Sequence, residues 1–190
     1  GVEHTDAILD ALDKFNVKCT FFAVEFWVEK YPEYCKKIIK RGHEIGTHSK
    51  THPKMSRLKK AQIEEEITSS KRAIEKVTDT AVTLFRPPFG DYDDLLIKTV
   101  SSLGLYSIQW DVDSLDWKDL PADKIAARVI KGVKSGSIIL CHNNGLHTAE
   151  SLPLIFAPLL SQGYEFVKIS DLIYKENYEI LPDGRQKTGQ

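Results

Sequence analysis

The feature that most constrains the fold is a regular alternation of short apolar segments with longer amphipathic ones. The apolar segments are rich in β-branched and aromatic residues, which predicts strands, whereas the amphipathic segments repeat at helical spacing. Predicted strands cover residues 17–24, 43–47, 82–85, 105–110, 137–141 and 166–169, and predicted helices cover residues 4–15, 32–41, 62–78, 94–103, 122–133 and 148–162. Repeated strand–helix units predict an α/β fold with a parallel sheet and helices outside it. The pattern alone leaves open whether that sheet is doubly wound or closed into a barrel.

Length and composition narrow the function classes. The chain has 190 residues, of which 42% are hydrophobic and 28% charged, with a net charge of −1. These values predict one soluble domain. Residues 175–190 carry no strong pattern, so we expect the domain to cover residues 1–174 and a tail to follow it. They argue against nucleic acid or an anionic membrane as partner, and no stretch approaches the roughly 18 apolar residues of a transmembrane segment. The three cysteines are too few for a disulfide framework, no signal-peptide pattern is visible, and no glycine-rich phosphate loop follows a strand.

Ionisable side chains follow four of the predicted strands. In parallel α/β folds, the loops after the carboxyl ends of the strands meet on one rim and carry the chemistry. We therefore expect a site on that rim, built from residues that directly follow these strands: His48, His52, Arg86, Asp111, Asp113, Asp116, Trp117 and His142.

Three of these positions suggest binding of a metal ion and of an anion. His48 and His52 are four residues apart, a spacing that lets both face one metal ion if the segment turns helically. Isolated histidines are more often core or surface residues, but a place on the rim favours metal binding. Arg86 is followed by two prolines that fix the backbone, so its guanidinium is predicted to be aimed at a carboxylate or a developing negative charge. The alternative is a structural turn with an incidental surface arginine.

The remaining positions suggest proton transfer beside a sugar. Asp113 and Asp116 flank a short turn before Trp117, whose indole suits stacking on the apolar face of a sugar ring. His142 emerges from a strand predicted to be buried and is placed for general acid or base chemistry, and a carboxylate bonded to it would fix its ring. The alternatives are a helix-capping aspartate with a half-buried tryptophan, and a satisfied core histidine. Cys141 is predicted to face the opposite way and to be buried and inert.

Taken together, these segments resemble the polysaccharide deacetylases of the NodB-homology type, carbohydrate esterase family 4. The resemblance covers nearly all of residues 1–174. His48-Ser-Lys-Thr-His52 is similar to the H-[ST]-x-x-H motif of that family, and Arg86-Pro-Pro-Phe-Gly90 is similar to R-x-P-[FY]-G. Further along, Asp113-Ser-Leu-Asp116-Trp117 resembles D-x-x-D-W, and Leu140-Cys-His142 resembles L-x-H. The segment Lys18-Cys-Thr-Phe-Phe-Ala resembles the K-A-T-F-F strand.

The resemblance implies a fold and an activity. The fold would be an incomplete or distorted (β/α) barrel of seven to eight parallel strands. The activity would be metal-dependent hydrolysis of N-acetyl groups on an amino-sugar polymer, such as peptidoglycan or a chitin-like oligosaccharide. It further implies a protein that is secreted or associated with the cell envelope.

The resemblance also implies roles for individual residues. One divalent metal ion, zinc first and cobalt, nickel or manganese as alternatives, would be bound by His48 and His52. His142 would act as general acid, with Asp116 tuning its acidity, and Arg86 would orient the catalytic base. The backbone N–H of Phe89 would help to hold the oxyanion. The substrate groove would be lined by Trp117, Phe89, Pro88, Leu140 and Asp113.

One family motif is absent from the chain. The T-F-D-D-G motif supplies the catalytic base and a third metal ligand from the first barrel strand, and no such segment occurs here. Some related sequences, including sporulation-associated ones, read F-D-A-A-W-G there and lack the aspartate ligand; Gly1 matches the last glycine of that variant. A barrel without a central strand exposes unpaired edges. We therefore expect that an N-terminal part of the same protein completes the barrel.

Three other functions compete with the deacetylase. A glycan-binding homologue would have kept the groove and lost the base. A metal-assisted amidase would act on a small cyclic or linear amide with the same scaffold. A cysteine hydrolase using Cys141 and His142 is disfavoured because adjacent strand residues face opposite ways.

Overall fold

The computed structural model describes residues 1–189 and contains all six predicted helices, with two further short ones. The helices are α1 Thr5–Lys14, α2 Glu25–Lys30, α3 Pro32–Lys40, α4 Lys60–Thr78, α5 Asp94–Ser102, α6 Ala122–Gly132, α7 Thr148–Ser161 and α8 Ile169–Leu172. The strands are β1 Thr20–Ala23, β2 Glu44–Thr47, β3 Leu84–Phe85, β4 Tyr106–Ser107, β5 Val112–Asp113, β6 Ile139–Leu140, β7 Tyr178–Ile180 and β8 Gln186–Thr188. Single 3₁₀ turns cover Met55–Arg57, Pro88–Gly90 and Asp116–Lys118.

The first six strands are parallel, as the alternation predicts. Four of them form one sheet in the order β1-β2-β3-β4, and β5 pairs with β6 in a second sheet. Residues 108–111 separate β4 from β5, so the extended segment 106–113 pairs with β3 at its start and with β6 at its end. One continuous stretch of chain therefore joins the two sheets and leaves β1 and β6 as the outer strands.

Three predictions about the strands are wrong. The segment 105–110 is split, because its pairing passes from β3 to β6, and β5 follows where a loop is predicted. Residues 166–169 are not a strand; Lys168 precedes the short helix α8, whose first backbone N–H is bonded to the Thr20 hydroxyl. The segment 137–141 is half-buried rather than buried, since β6 has a neighbour on one side only.

The predicted tail is partly ordered. Within residues 175–189, β7 and β8 form an antiparallel hairpin with Tyr178 opposite Thr188. Gln190, the last residue of that predicted tail, lies outside the described residues.

The core lies between the sheets and the surrounding helices. Helix α4 shows how the sequence builds it: Ile63, Ile67 and Ile74 recur at helical spacing, and all three are fully buried. Beneath that helix, Phe85 of β3 is also fully buried, with Arg86 directly after it. No helix within residues 1–189 is long and apolar enough to cross a membrane.

Candidate active site

The predicted rim exists at the carboxyl ends of four parallel strands. His48 directly follows β2, Arg86 directly follows β3, Asp116 lies just beyond β5, and His142 lies just beyond β6. The strands are short, so these residues leave the sheet within one or two positions of its last hydrogen bonds. The fold therefore delivers residues from both sheets to one edge.

The two motif histidines are brought together by a bent loop. Their rings pack edge to face with centroids 4.9 Å apart. The segment does not turn helically: the loop 48–52 is irregular, and Ser49 (φ 77°) and His52 (φ 60°) are both left-handed. The Ser49 hydroxyl accepts a hydrogen bond from the His52 backbone N–H at 3.0 Å, which closes the bend. Left-handed non-glycine residues persist only where the surroundings hold them.

Both rings are in the neutral form that a metal ligand requires. The Nδ1 atom of His48 lies 2.7 Å from the carbonyl oxygen of Arg86, and because a carbonyl only accepts, Nδ1 carries the proton. That leaves the Nε2 lone pair of His48 free to coordinate, the usual arrangement of a metal-binding histidine. Burial lowers the pKa of His48 to about 4, outweighing the hydrogen bond to the Arg86 carbonyl, which raises it, and the positive charge of Arg86 adds to the lowering. Burial also lowers the pKa of His52.

The histidine pair meets part of the requirement for a metal site. In the part of the chain that the structure describes, no group of three or more His, Cys, Asp or Glu side chains is arranged to hold a metal ion. Catalytic zinc sites typically use three protein ligands and leave one position for water or substrate. His48 and His52 therefore fit two of the three protein positions.

A buried carboxylate holds His142. The Nδ1 atom of His142 lies 2.7 Å from Oδ1 of Asp116, and the backbone N–H of His142 donates to Oδ2 at 2.6 Å. Asp116 has no exposed surface. Burial raises the pKa of that carboxyl, but hydrogen bonds from His142 and Thr148 outweigh it and bring the pKa of Asp116 below its ordinary value. Asp116 is therefore an ionised group that fixes the orientation of the imidazole.

Thr148 and Gly145 support the Asp116–His142 pair, and the sequence analysis identifies neither of them. The Thr148 hydroxyl, at the start of α7, donates to Oδ2 of Asp116 at 2.7 Å. A Cβ atom on Gly145 would lie 3.2 Å from Oδ2 of Asp116 and would collide with the Thr148 hydroxyl. Gly145 thus leaves room for the contact between Thr148 and Asp116. The only signal in the sequence is that both residues follow closely after His142.

Arg86 is buried rather than exposed. Its guanidinium carbon lies 4.3 Å from the centre of the Phe22 ring and 5.6 Å from that of Trp110, so the group is enclosed between two aromatic side chains. One hydrogen bond goes from Nη2 to the Gln109 carbonyl at 3.3 Å, whereas the buried Nε has no partner within residues 1–189. Burial lowers the pKa of Arg86 to about 10, so it stays charged at neutral pH.

The predicted groove residues divide into exposed and enclosed ones. Phe89 and Trp117 are 63% and 53% exposed, and the Phe89 ring packs against His52 with centroids 4.6 Å apart. Leu140 is half-buried at the end of β6, and Pro88 is buried. The side chain of Asp113 accepts a hydrogen bond from the Leu115 backbone N–H at 2.9 Å, within the turn before Asp116.

Asp111 and the cysteines lie apart from this chemistry. Asp111 accepts hydrogen bonds from Ser137 and from the Ile138 backbone, so it joins the start of β6 to the segment before β5. All three cysteines are free, as expected. Burial and the neighbouring Asp116 raise the pKa of Cys141 to about 12. A thiol with such a pKa is protonated at neutral pH, which weighs against a cysteine nucleophile.

Comparison with known proteins places this site in a family. The sequence profile of the polysaccharide deacetylases, described as "Polysaccharide deacetylase", matches residues 1–108. The chain belongs to the polysaccharide deacetylase family. A peptidoglycan-N-acetylglucosamine deacetylase of Bacillus cereus is 34% identical over 90% of the chain and 82% of its own length. The peptidoglycan-N-acetylglucosamine deacetylase PgdA of Listeria monocytogenes is 35% identical over 97% of the chain.

Solved structures agree on the fold and include an inactive member. BA3943 of Bacillus anthracis, described as a CE4 family pseudoenzyme, superimposes with a TM-score of 0.88 at 34% identity, covering 90% of this chain and 61% of that one. A mutant of BA3943 is described as having restored enzymatic activity. The chain is thus an α/β polysaccharide deacetylase domain with parallel strands.

The chain is shorter than several of these relatives. It spans 39% of the length of the Listeria deacetylase, against 82% of the length of the Bacillus cereus one.

Proposed function

We propose that the protein is a metal-dependent hydrolase that removes N-acetyl groups from an amino-sugar polymer, either peptidoglycan or a chitin-like oligosaccharide. One observation carries the proposal: a buried Asp116–His142 pair shares a rim with two neutral histidines and a buried arginine. The names of the relatives support peptidoglycan as the substrate class. That substrate favours a secreted or envelope-associated location.

In this proposal, His48 and His52 hold one divalent metal ion. Zinc is the first choice because imidazole ligands suit it, with cobalt, nickel or manganese as alternatives. When bound, such an ion polarises the acetyl carbonyl and lowers the pKa of a coordinated water. The hydrogen bond from His48 to the Arg86 carbonyl fixes the ring so that its free nitrogen faces the site.

His142 donates a proton to the leaving amine. Its Nδ1–H is held by Asp116, so the other ring nitrogen is the one presented to the substrate. The ionised Asp116 keeps the imidazole in one orientation, as the buried carboxylate does in hydrolase triads. By the resemblance to the family, Asp116 is also proposed to tune the acidity of His142.

Arg86 orients a carboxylate that acts as the catalytic base. A buried guanidinium with an unpartnered Nε is costly unless an anion lies against it. The resemblance to the family assigns that anion to an aspartate of the motif that is absent from this chain. We also propose that the strand bearing it lies between β1 and β6, the outer strands, because most of their residues are only half-buried although they are mainly apolar.

The sugar is bound by the exposed aromatic groups. Phe89 and Trp117 are exposed, and Leu140 is half-buried at the end of β6. Pro88 is buried next to Phe89 and is proposed to shape the loop that carries Phe89. Asp113 is proposed to shape the turn that leads to Trp117. The backbone N–H of Phe89 is proposed to assist in holding the oxyanion.

A second candidate is a catalytically impaired glycan-binding homologue. One observation favours it: BA3943, to which this chain is similar in structure, is described as a pseudoenzyme. An amidase acting on a small amide remains a third candidate on the same scaffold.

Release of acetate separates these candidates. The full protein is incubated with N-acetylated peptidoglycan, or with chitooligosaccharide, and with added Zn²⁺ or Co²⁺. The proposal expects acetate release that requires the metal and falls by about 10²- to 10⁴-fold in His142→Ala. Binding of either glycan without acetate release would establish the glycan-binding alternative instead.

A further inference from the structure

We infer that Glu66 of α4 is a positioning residue for the His48–His52 pair. The inference rests on the proposed function, because it gives Glu66 its role through a metal held by the two histidines. Glu66 belongs to none of the family motifs that define the site.

The carboxylate of Glu66 holds the loop between the two histidines at three points. Its Oε2 accepts hydrogen bonds from the backbone N–H groups of Lys50, at 2.9 Å, and of Thr51, at 2.8 Å. Its Oε1 accepts from the Thr51 hydroxyl at 2.7 Å. Two of the three residues between His48 and His52 are therefore bonded to one side chain of a rigid helix.

Helix α4 also holds the other side of His48. Ser70 is one turn beyond Glu66 and lies on the same face of the helix. The Ser70 hydroxyl accepts a hydrogen bond from the Thr47 hydroxyl at 2.7 Å. The Thr47 hydroxyl in turn accepts a hydrogen bond from the Ser49 backbone N–H. Glu66 and Ser70 thus fix the chain after and before His48.

The loop needs such support because its backbone is strained. Ser49 and His52 both have positive φ, a backbone conformation that residues other than glycine rarely adopt. Lys50 and Thr51 lie between them, and the Thr51 side chain is exposed, so packing does not hold it. Charge-assisted hydrogen bonds that the backbone N–H groups of Lys50 and Thr51 donate to Glu66 replace that packing.

The neighbouring Glu65 provides a matched control. It contacts the same loop through Lys50, whose Nζ lies 2.9 Å away, but as an exposed ion pair with no bond to the backbone. Exposed pairs contribute little to stability. Glu65→Ala and Glu66→Ala each remove one negative charge from the same helix beside the same loop, and only Glu66→Ala releases the backbone.

The first measurement needs no metal. Amide hydrogen exchange of Lys50 and Thr51 is followed in the full protein and in Glu66→Ala, Glu66→Gln and Glu65→Ala. We expect loss of protection at both amides in Glu66→Ala only, since the glutamine oxygen can still accept from both N–H groups. If the amides of Lys50 and Thr51 were as well protected in Glu66→Ala as in the unsubstituted parent protein, the inference would be overturned.

The second measurement is the affinity of the same four proteins for Co²⁺, followed by its visible absorption. Loss of a group that orients a metal ligand typically weakens metal binding by about 10- to 100-fold, which is the change expected for Glu66→Ala. Glu66→Gln and Glu65→Ala should stay within about twofold of the parent. Thr51→Val, which removes the hydroxyl contact and keeps both backbone bonds, should weaken binding less than Glu66→Ala.

The outcomes separate this inference from the proposed function. Equal Co²⁺ affinity in Glu66→Ala and Glu65→Ala would overturn the positioning role. A parent that binds no Co²⁺, but whose amides lose protection in Glu66→Ala, would refute the proposed metal site while supporting the hold of Glu66 on the loop.

Discussion

Asp116 is the residue on which the geometry of the site converges. It accepts hydrogen bonds from the His142 ring, the His142 backbone and the Thr148 hydroxyl, and it has no exposed surface. A buried carboxylate is stable only when its oxygens are satisfied in this way. The same bonds therefore contribute to stability and hold the proposed proton donor.

Thr148→Val tests that contribution. Removing a hydrogen bond to a buried charged group should lower the free energy of unfolding at pH 7 by about 1–3 kcal/mol, measured by urea denaturation. Thr99→Val is the matched control, because the Thr99 hydroxyl is equally buried and bonds only the Leu95 carbonyl of its own helix. An equal loss in both variants would contradict the account.

The same substitution has a defined pH dependence. The pKa of Asp116 is lowered from its ordinary value of 3.8, so the stability it contributes is complete above about pH 4. It is lost as the pH falls through the folded-state pKa. The difference between the parent and Thr148→Val should therefore shrink below pH 4, and a difference that grows there would refute this assignment.

At the residue scale, position after a strand predicts which ionisable residues lie on the rim. It does not predict the residues that hold them there by hydrogen bonds. His48, Arg86, Asp116 and His142 each follow a strand closely, and parallel topology then brings them to one edge. Thr148 and Glu66 lie on helices, where a polar residue facing a distant loop looks like any other. Their roles depend on contacts between elements that no local pattern records.

At the scale of elements, helices are predicted better than strands. Helix α4 is long and carries its own buried stripe, whereas β3 to β6 are two residues each and are defined by their partners. The segment 105–110 contains no glycine or proline, so its sequence gives no sign that pairing passes from β3 to β6. Strand bounds of this kind are set by tertiary pairing rather than by propensity.

Gly46 in β2 is needed for close approach of three strands. A Cβ atom there would lie 2.6 Å from the Phe22 ring and 2.9 Å from the Leu84 carbonyl oxygen. Gly46→Ala should therefore lower the free energy of unfolding by about 1–3 kcal/mol, as overpacking does, measured by chemical denaturation.

Gly132 gives the control for that substitution. Its Cβ would meet only Val112 side-chain atoms, at 3.4 Å or more, and it is the last residue of α6. Gly132→Ala should be neutral or stabilising because alanine favours a helix. If Gly46→Ala were as well tolerated as Gly132→Ala, the close packing of β1, β2 and β3 would be refuted.

For the whole molecule, two enclosed histidines predict a loss of stability in mild acid. His43 is 4% exposed, its Nδ1 accepts from the Cys19 backbone N–H, and burial, with Lys18 nearby, lowers its pKa to about 4. Burial lowers the pKa of His48 to about 4 as well. Because the unfolded chain takes up these protons near pH 6.5, the stability of the metal-free protein should fall as pH falls from 6.5 to 4.

His43→Asn isolates one of these contributions. The asparagine oxygen can accept from the Cys19 N–H and does not titrate, so about 3 kcal/mol of the acid-dependent loss should disappear. The measurement is the free energy of unfolding at pH 7 and at pH 4 in both proteins. An unchanged difference between the two pH values would show that His43 is already accessible to protons in the folded state.

The central claim is that metal binding and proton donation belong to different residues of one rim. It is tested most directly by metal content and acetate release in the full protein carrying His48→Ala or His142→Ala. The account predicts that His48→Ala loses the metal, whereas His142→Ala retains it at the level of the parent and loses turnover by about 10²- to 10⁴-fold. Equal loss of metal in both variants, or unchanged acetate release in His142→Ala, would contradict it.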